Sequence, residues 1–381
     1  MKIAIVHDWL TGMRGGEKCL EVFCEIFPDA DIFTLIHKKG SVSPVIERMN
    51  ITTSFLQKIP GIFKHYRYFL TLFPRAVRSF DLIGYDLILS SSHAVAKGAR
   101  IPKNALHICY CYTPMRYAWQ LFDEYFSSEN KIKQIVIRFF MEWLKKWDLA
   151  SNKRVDYFIA ISDNVRARIK KYYKREADVI FPPVDVLAGA SQYAESAVRG
   201  YYLVVSALVP YKRIDLAVSV FNESGKALKI VGAGTELVKL RKIALGNIEF
   251  LGWVSDSEIG KYYAGAEALI FPGEEDFGIV PVEAQAFGKP VIAYKKGGVL
   301  ETVTGLDEAK ALGNAPTGVF FAEQTVESLN SAINKFEANK HLFIPENIRG
   351  SVRKFNRDRF KREIEQYISI KTNDQRLTTN D

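Results

Sequence analysis

Lys2-Ile3-Ala4-Ile5-Val6-His7, then Asp8-Trp9-Leu10-Thr11-Gly12-Met13-Arg14-Gly15-Gly16, then residues 17–27, form the stretch on which the reading of the fold turns. A short apolar run is ended by polar and glycine residues, and apolar positions at helical spacing follow, which reads as strand, glycine-rich loop and helix. Residues 87–89, 105–111 and 157–161 repeat the pattern, each a strand-like run followed by a turn and a helical stretch. Such alternation implies a parallel sheet with crossover helices. Residues 188–200 are small and polar and read as a linker, after which the alternation restarts. Strands are expected at 202–206, 228–231, 248–251, 268–271 and 291–293. Helices are expected at 213–221, 235–244, 255–265 and 281–287, with a last helix over 351–370 and a disordered polar tail over 371–381. The fold class is α/β, with two doubly wound units, and ligands of open α/β sheets bind at the carboxyl ends of the strands, so the site is expected between the units.

The length agrees with two units. The chain of 381 residues is about twice what one hydrophobic core serves. Its 48% apolar and 25% charged residues exclude disordered, collagen-like and disulfide-stapled classes. The opening apolar run is too short for a signal peptide, and no stretch reaches about 18 apolar residues, so neither export nor a membrane span is expected. Cys19, Cys24, Cys109 and Cys111 lack the paired C-x2-C spacing of structural zinc sites and read as reduced cytosolic thiols. No H-E-x-x-H, P-loop or EF-hand pattern occurs, so no bound metal is implied.

The formal net charge of +9 is concentrated in two segments. Residues 55–80 hold Lys58, Lys64, Arg67, Arg75 and Arg78 with seven aromatic residues and no acid; residues 131–154 hold seven basic residues against Glu142 and Asp148. In the second, Ile132, Ile135, Val136, Phe139, Phe140, Trp143, Leu144 and Trp147 recur at helical spacing. The pattern fits an amphipathic helix lying on an anionic membrane surface, or a core helix with a solvated basic side. Residues 55–80 suit an acceptor-side element near anionic lipid.

The most specific signal is Phe271-Pro272-Gly273-Glu274-Glu275-Asp276-Phe277-Gly278-Ile279-Val280-Pro281-Val282-Glu283. Glu275 is expected in the loop and Glu283 in the first turn of a helix opening near Pro281, whose N-terminus suits an anion. With Gly232-Ala233-Gly234, residues 247–254 and Gly288-Lys289-Pro290, this segment resembles the carboxyl-terminal half of family 4 glycosyltransferases, retaining nucleotide-sugar-dependent enzymes of GT-B fold. His7-Asp8-Trp9-Leu10, Gly15-Gly16-Glu17 and residues 110–117 look like the branch that uses GDP-mannose in bacterial surface polysaccharide assembly. Gly232-Ala233-Gly234 lacks the third glycine of a dinucleotide fingerprint, Leu237 standing there.

The resemblance implies roles. Glu275 contacts the donor sugar near its reacting carbon, and Glu283 accepts from the ribose hydroxyls. The backbone of Phe277, Gly278, Ile279 and Val280 holds sugar and phosphate, while Lys212 and Arg213 neutralise the departing diphosphate. Trp253 and Val254 hold the base, and Gly15 and Gly16 approach the diphosphate. Tyr112 stands at the position that faces the donor sugar, and His93, after a strand, is another cleft-side candidate. Ala207 stands where the family usually places an arginine, and Tyr112 where it often has a histidine. Lys58, Lys64, Arg67, Trp143 and Trp147 are the acceptor and membrane candidates.

The implied division is an acceptor-side domain over 1–184 and a nucleotide-sugar domain over 185–350, with the last helix packing back toward the first. The implied activity is transfer of mannose from GDP-mannose to a lipid-linked glycan of an O-antigen or related polysaccharide. The enzyme is expected in the cytoplasm, peripheral on the inner membrane face, without cofactor or nucleic acid. A UDP-sugar donor, a nucleotide-sugar epimerase and a catalytically weak scaffold of the same fold are the alternatives.

Overall fold

The computed structural model describes residues 1–120, 130–185 and 200–378. The expected linker and the stretch 121–129 lie outside most or all of that description. The chain divides into two compact units: Met1–Pro183 with Arg357–Asp381, and Val184–Asn356.

The first unit is built on seven strands, β1 (Ile3–His7), β2 (Asp31–Thr34), β3 (Asn50–Thr53), β4 (Leu87–Ser92), β5 (Leu106–Cys111), β6 (Tyr157–Ala160) and β7 (Asp178–Val179). They pair in parallel in the order β3-β2-β1-β4-β5-β6-β7. β4 and β5 are buried along their whole length, as expected of central strands covered on both faces. Strand order reverses between β1 and β4, and that switch point is where such sheets open a crevice.

The second unit repeats the plan with β8 (Tyr201–Val205), β9 (Leu228–Val231), β10 (Ile248–Gly252), β11 (Ala266–Phe271), β12 (Val291–Tyr294) and β13 (Gly318–Phe321), in the order β10-β9-β8-β11-β12-β13. The two-residue period of β8 divides its side chains between two cores. Tyr202 and Val204 join Phe221, Ile230 and Phe336 on one side; Tyr201 and Leu203 join Tyr263, Leu269 and Val299 on the other. Here the order reverses between β8 and β11.

Two sequence expectations are corrected. The single helix over 351–370 is three pieces: Pro345–Ser351, a 3-10 turn Arg353–Phe355, and a helix Arg357–Thr378. Val352 and Phe355 are buried and Asn356 is extended, so the chain turns there to seat two apolar side chains rather than continuing straight. The helix then runs through Thr378, past the expected end at Ile370, and most of the polar tail is helical. It belongs to the first unit. Phe360, Ile364 and Ile368, four residues apart, are buried; Phe360 lies 5.6 Å from the rings of both Phe23 and Tyr110, and Arg357 pairs with Glu21 and Glu25. All four cysteines are free and buried, and burial pushes the Cys19 thiol up to about 12.

Candidate active site

In the second unit, β8 runs through Ser206 and Ala207 into a 3-10 turn, Pro210–Lys212, and Arg213 in a left-handed conformation (φ 53°) opens the helix Ile214–Ser224. Few non-glycine residues occupy that region, and here the guanidinium is tied to Asp215, Nε to Oδ1 at 3.2 Å. Opposite, β11 runs into Pro272 and Gly273, which passes so close to Lys212 that a Cβ would lie 3.0 Å from its Cα. A side chain at residue 273 would therefore push the two strand-end loops apart. Their juxtaposition places the Lys212 ammonium in an ion pair with the Glu275 carboxylate, both mostly shielded from solvent. The pair spans the switch point.

The Glu275 loop is held from a third side, where its carbonyl accepts the Gly298 N–H at 2.9 Å. A Cβ on Gly297 would lie 2.4 Å from that carbonyl, so the paired glycines allow the approach. Gly278, left-handed at φ 88°, turns the chain into the helix Ile279–Ala286. This helix opens two residues before Pro281, and Glu283 therefore falls in its second turn, not its first. One Glu283 oxygen accepts the Tyr263 hydroxyl at 2.9 Å. Burial and the Glu283 charge push that hydroxyl well above its usual pKa, so it remains a donor. Phe277 is sealed against Phe355, ring centroids 5.3 Å apart, which takes its side chain into the core. Ile279 and Val280 are half-buried. Trp253 is 78% exposed, and Val254 packs against the core that includes Tyr263 and Val299.

In the first unit the site residues gather at the ends of β1, β4 and β5. Asp8 is fully buried and accepts four backbone N–H groups, from His93 (2.7 Å), Ala94 (2.9 Å), Val95 (2.7 Å) and Ala96 (2.7 Å). It fixes the turn that carries His93, whose Nδ1 lies 3.1 Å from the same carboxylate. The His93 ring stands edge-on to Trp9 at 4.5 Å. Burial lowers the pKa of His93 against the pull of Asp8, favouring the neutral ring. Gly15 and Gly16 open the helix Gly15–Ile26, where Glu17 accepts the Arg14 N–H at 3.0 Å. Tyr112 donates its hydroxyl to the Gly16 carbonyl at 2.9 Å and meets Ser91 at 2.8 Å. The hydroxyl is thus engaged within the protein. Asp8, His7, Glu17 and Tyr263 are site residues that the sequence alone does not single out. For Asp8 the available signal was a carboxylate at the end of an apolar strand, where only a set of donors makes burial affordable.

The basic segments divide. Lys58, Lys64 and Arg67 are exposed, and Lys58 lines a cavity of about 600 Å³ with Thr52, Thr53, Phe55, Phe80 and Asp81. Tyr66, Phe73 and Phe80 are core residues, so the aromatic content of 55–80 serves packing as well as surface. In the helix Lys131–Ser151, Leu144 is buried, while Phe140 and Trp147 pack partly against the core. Ile132, Ile135, Val136, Phe139 and Trp143 are exposed, Phe139 to 80%. Trp147 therefore leaves the candidate surface, because its ring fills the space beside Gly98, where a Cβ would lie 2.4 Å away.

Two Rossmann-like parallel-sheet units in one chain are the architecture of the GT-B fold. A solved structure of this class, Anabaena HepE in complex with UDP and glucose, superposes with a TM-score of 0.66 over 97% of this chain and 99% of that one, at 18% identity. Residues 192–371 match the family described as Glycosyl transferases group 1. An uncharacterised glycosyltransferase of Methanocaldococcus jannaschii is 29% identical over 184 residues, 46% of this chain and 50% of that protein. The GDP-mannose-dependent alpha-(1-6)-phosphatidylinositol monomannoside mannosyltransferase of Mycobacterium tuberculosis is 37% identical over 123 residues, 28% of this chain and 32% of that one. The chain thus spans half or less of the length of these curated relatives.

Proposed function

We propose that the chain is a retaining glycosyltransferase that moves mannose from GDP-mannose onto a lipid-linked glycan of a surface polysaccharide such as an O-antigen. The observation that carries this reading is the Lys212–Glu275 pair spanning the second switch point, with Glu283 held by Tyr263 on the following helix. A sugar diphosphate reacts by heterolysis, with positive charge growing on the sugar and negative charge on the leaving diphosphate. An ammonium beside that diphosphate is worth most in the transition state. Lys212 supplies it, Glu275 lies beside the reacting carbon, and the free N–H groups at the start of the helix Ile279–Ala286 hold phosphate. Glu283, positioned by Tyr263, accepts from the ribose hydroxyls. The acceptor oxygen returns on the face that the diphosphate leaves, with the leaving phosphate as base.

The family match supports glycosyl transfer, and the mycobacterial relative supports the donor and a lipid-linked acceptor. The exposed apolar side of the helix Lys131–Ser151, bordered by Lys131, Lys133 and Arg138, supports peripheral binding to the anionic inner face of the cytoplasmic membrane. Among the described residues no helix is long and apolar enough to cross a membrane. A UDP-sugar donor is the second reading, favoured by the UDP-bound structure of the same fold. Calorimetric titration with GDP and UDP, followed by product analysis from GDP-mannose and a lipid-linked acceptor, decides between them. Preference for UDP replaces the donor, and tight nucleotide binding without turnover replaces the enzyme by a binding protein.

A further inference from the structure

The ends of β1, β4 and β5 hold a chain of hydrogen bonds whose direction is set by its last member. A backbone carbonyl only accepts, so the Tyr112 hydroxyl donates to the Gly16 oxygen at 2.9 Å. Its one proton is then spent, and at 2.8 Å from Ser91 it must accept. Ser91 has in turn given its proton to Tyr112, so at 2.9 Å from His7 Nδ1 the serine oxygen accepts and the ring nitrogen donates. The reverse order would set the lone pairs of a phenol 2.9 Å from those of the Gly16 carbonyl, a repulsive contact.

The other end of the chain is equally constrained. His7 is 1% exposed, and among the described residues its Nε2 has no hydrogen-bond partner, lying 3.6 Å from Glu17 Oε1. Glu17 is fixed through its second oxygen by the Arg14 N–H. Burial raises its carboxyl, but the contact with His7 and that ring's charge pull it further down, to below the usual range. A neutral ring protonated on Nδ1 presents a bare Nε2 to Glu17, and only a ring protonated on both nitrogens makes this contact an ion pair.

We propose that Glu17, His7, Ser91 and Tyr112 form a one-way relay that positions the Gly15–Gly16 turn, with His7 holding a proton on Nδ1 and Tyr112 clamping the Gly16 carbonyl instead of touching sugar. The relay ties the first turn of the helix Gly15–Ile26 to three strand ends, and so sets where its free N–H groups point. The functional half of this inference rests on the glycosyltransferase reading, in which that turn meets the donor diphosphate.

Side-chain nitrogen NMR of the ligand-free full chain at neutral pH reads the direction. His7 Nδ1 is expected to be protonated; a bare Nδ1 reverses the relay and overturns it. Tyr112→Phe keeps the ring and removes only the hydroxyl. It is expected to raise KM for the sugar nucleotide about five- to tenfold with kcat changed less than about twofold, the pattern of lost ground-state positioning. Ser91→Ala should give a similar rise, and the double variant no further one, because the groups act as a unit. A fall in kcat at unchanged KM, or additive losses, overturns the positioning role. Should the parent turn over no sugar nucleotide, the functional reading fails by itself. The relay is then decided by ring protonation and by the Gly15 and Gly16 amide signals, which Tyr112→Phe must shift for the clamp to stand.

Discussion

Glu283 and Gly16 mark opposite uses of a residue. Glu283 works through a side chain that Tyr263 positions, and Glu283→Ala is expected to cost about 1.5 to 3 kcal/mol of nucleotide affinity by removing a charged acceptor. Calorimetry checks it, and equal GDP affinity removes Glu283 from the site. Gly16 works by having no side chain. A Cβ there would lie 3.6 Å from Tyr112 and 3.7 Å from His7, ordinary contact, so Gly16→Ala should fold normally, gain helix propensity and still weaken diphosphate binding. Undiminished affinity would mean that no ligand approaches that backbone. His107 gives a pH prediction. It is fully buried between Ser90 and the Arg154 carbonyl, and burial depresses its pKa to about 4. The unfolded ring, near 6.5, protonates first as pH falls, so the stability His107 contributes is full above about pH 6.5 and is lost on the way down through about 4. The loss is on the order of 3 kcal/mol, and denaturant melts at pH 7, 5.5 and 4.5 should show it shrink in His107→Gln. The roles of Glu275 and Glu283 could be proposed from their motif because both lie in one short segment. The role of Asp8 could not, since its donors begin 85 residues later and no local pattern announces them.

At the scale of elements, the helix Lys131–Ser151 shows what periodicity carries and what it leaves out. Spacing identifies an amphipathic helix, but not how the apolar residues divide between core and surface, because that depends on what the neighbouring strands leave uncovered. The inner end is anchored by Asp148, which pairs with buried Lys97 and accepts from Trp119 and Tyr173 at 2.8 Å each. Lys97→Met should destabilise the fold by about 3 to 5 kcal/mol by leaving that carboxylate without its counter-charge; a loss below about 1 kcal/mol in denaturant unfolding would mean that water reaches the pair. The outer side should behave oppositely. Phe139→Ser with Trp143→Ser is expected to leave stability within about 1 kcal/mol while abolishing the salt-resistant part of binding to phosphatidylglycerol vesicles. Retained salt-resistant binding would rule this surface out as the inserted one.

For the whole molecule, the alternation of strand and helix makes β1, β4, β5, β6 and β8 to β12 legible, since each is a short apolar run bounded by turn residues, whereas β3 (Asn50–Thr53) and the two-residue β7 (Asp178–Val179) carry no such run. The break at 352–356 is not legible, because residues 351–370 satisfy helical spacing whether or not the chain bends to bury Phe355. The net charge of +9 is a whole-chain quantity whose effect reaches about 8 Å at physiological salt, so the remaining vesicle binding should fall steeply as salt rises. The return of Arg357–Thr378 to the first unit makes the second an insertion within it. During synthesis the inserted unit is therefore complete once Asn356 has emerged, while the unit begun earlier still lacks Phe360, Ile364 and Ile368 from its core. The order of translation and the order of maturation are inverted. A nascent chain stalled after Asn356 and its linker have cleared the ribosome should protect Val184–Asn356 from protease and leave the amino-terminal half open, its surface of Phe23 and Tyr110 uncovered until the last helix arrives.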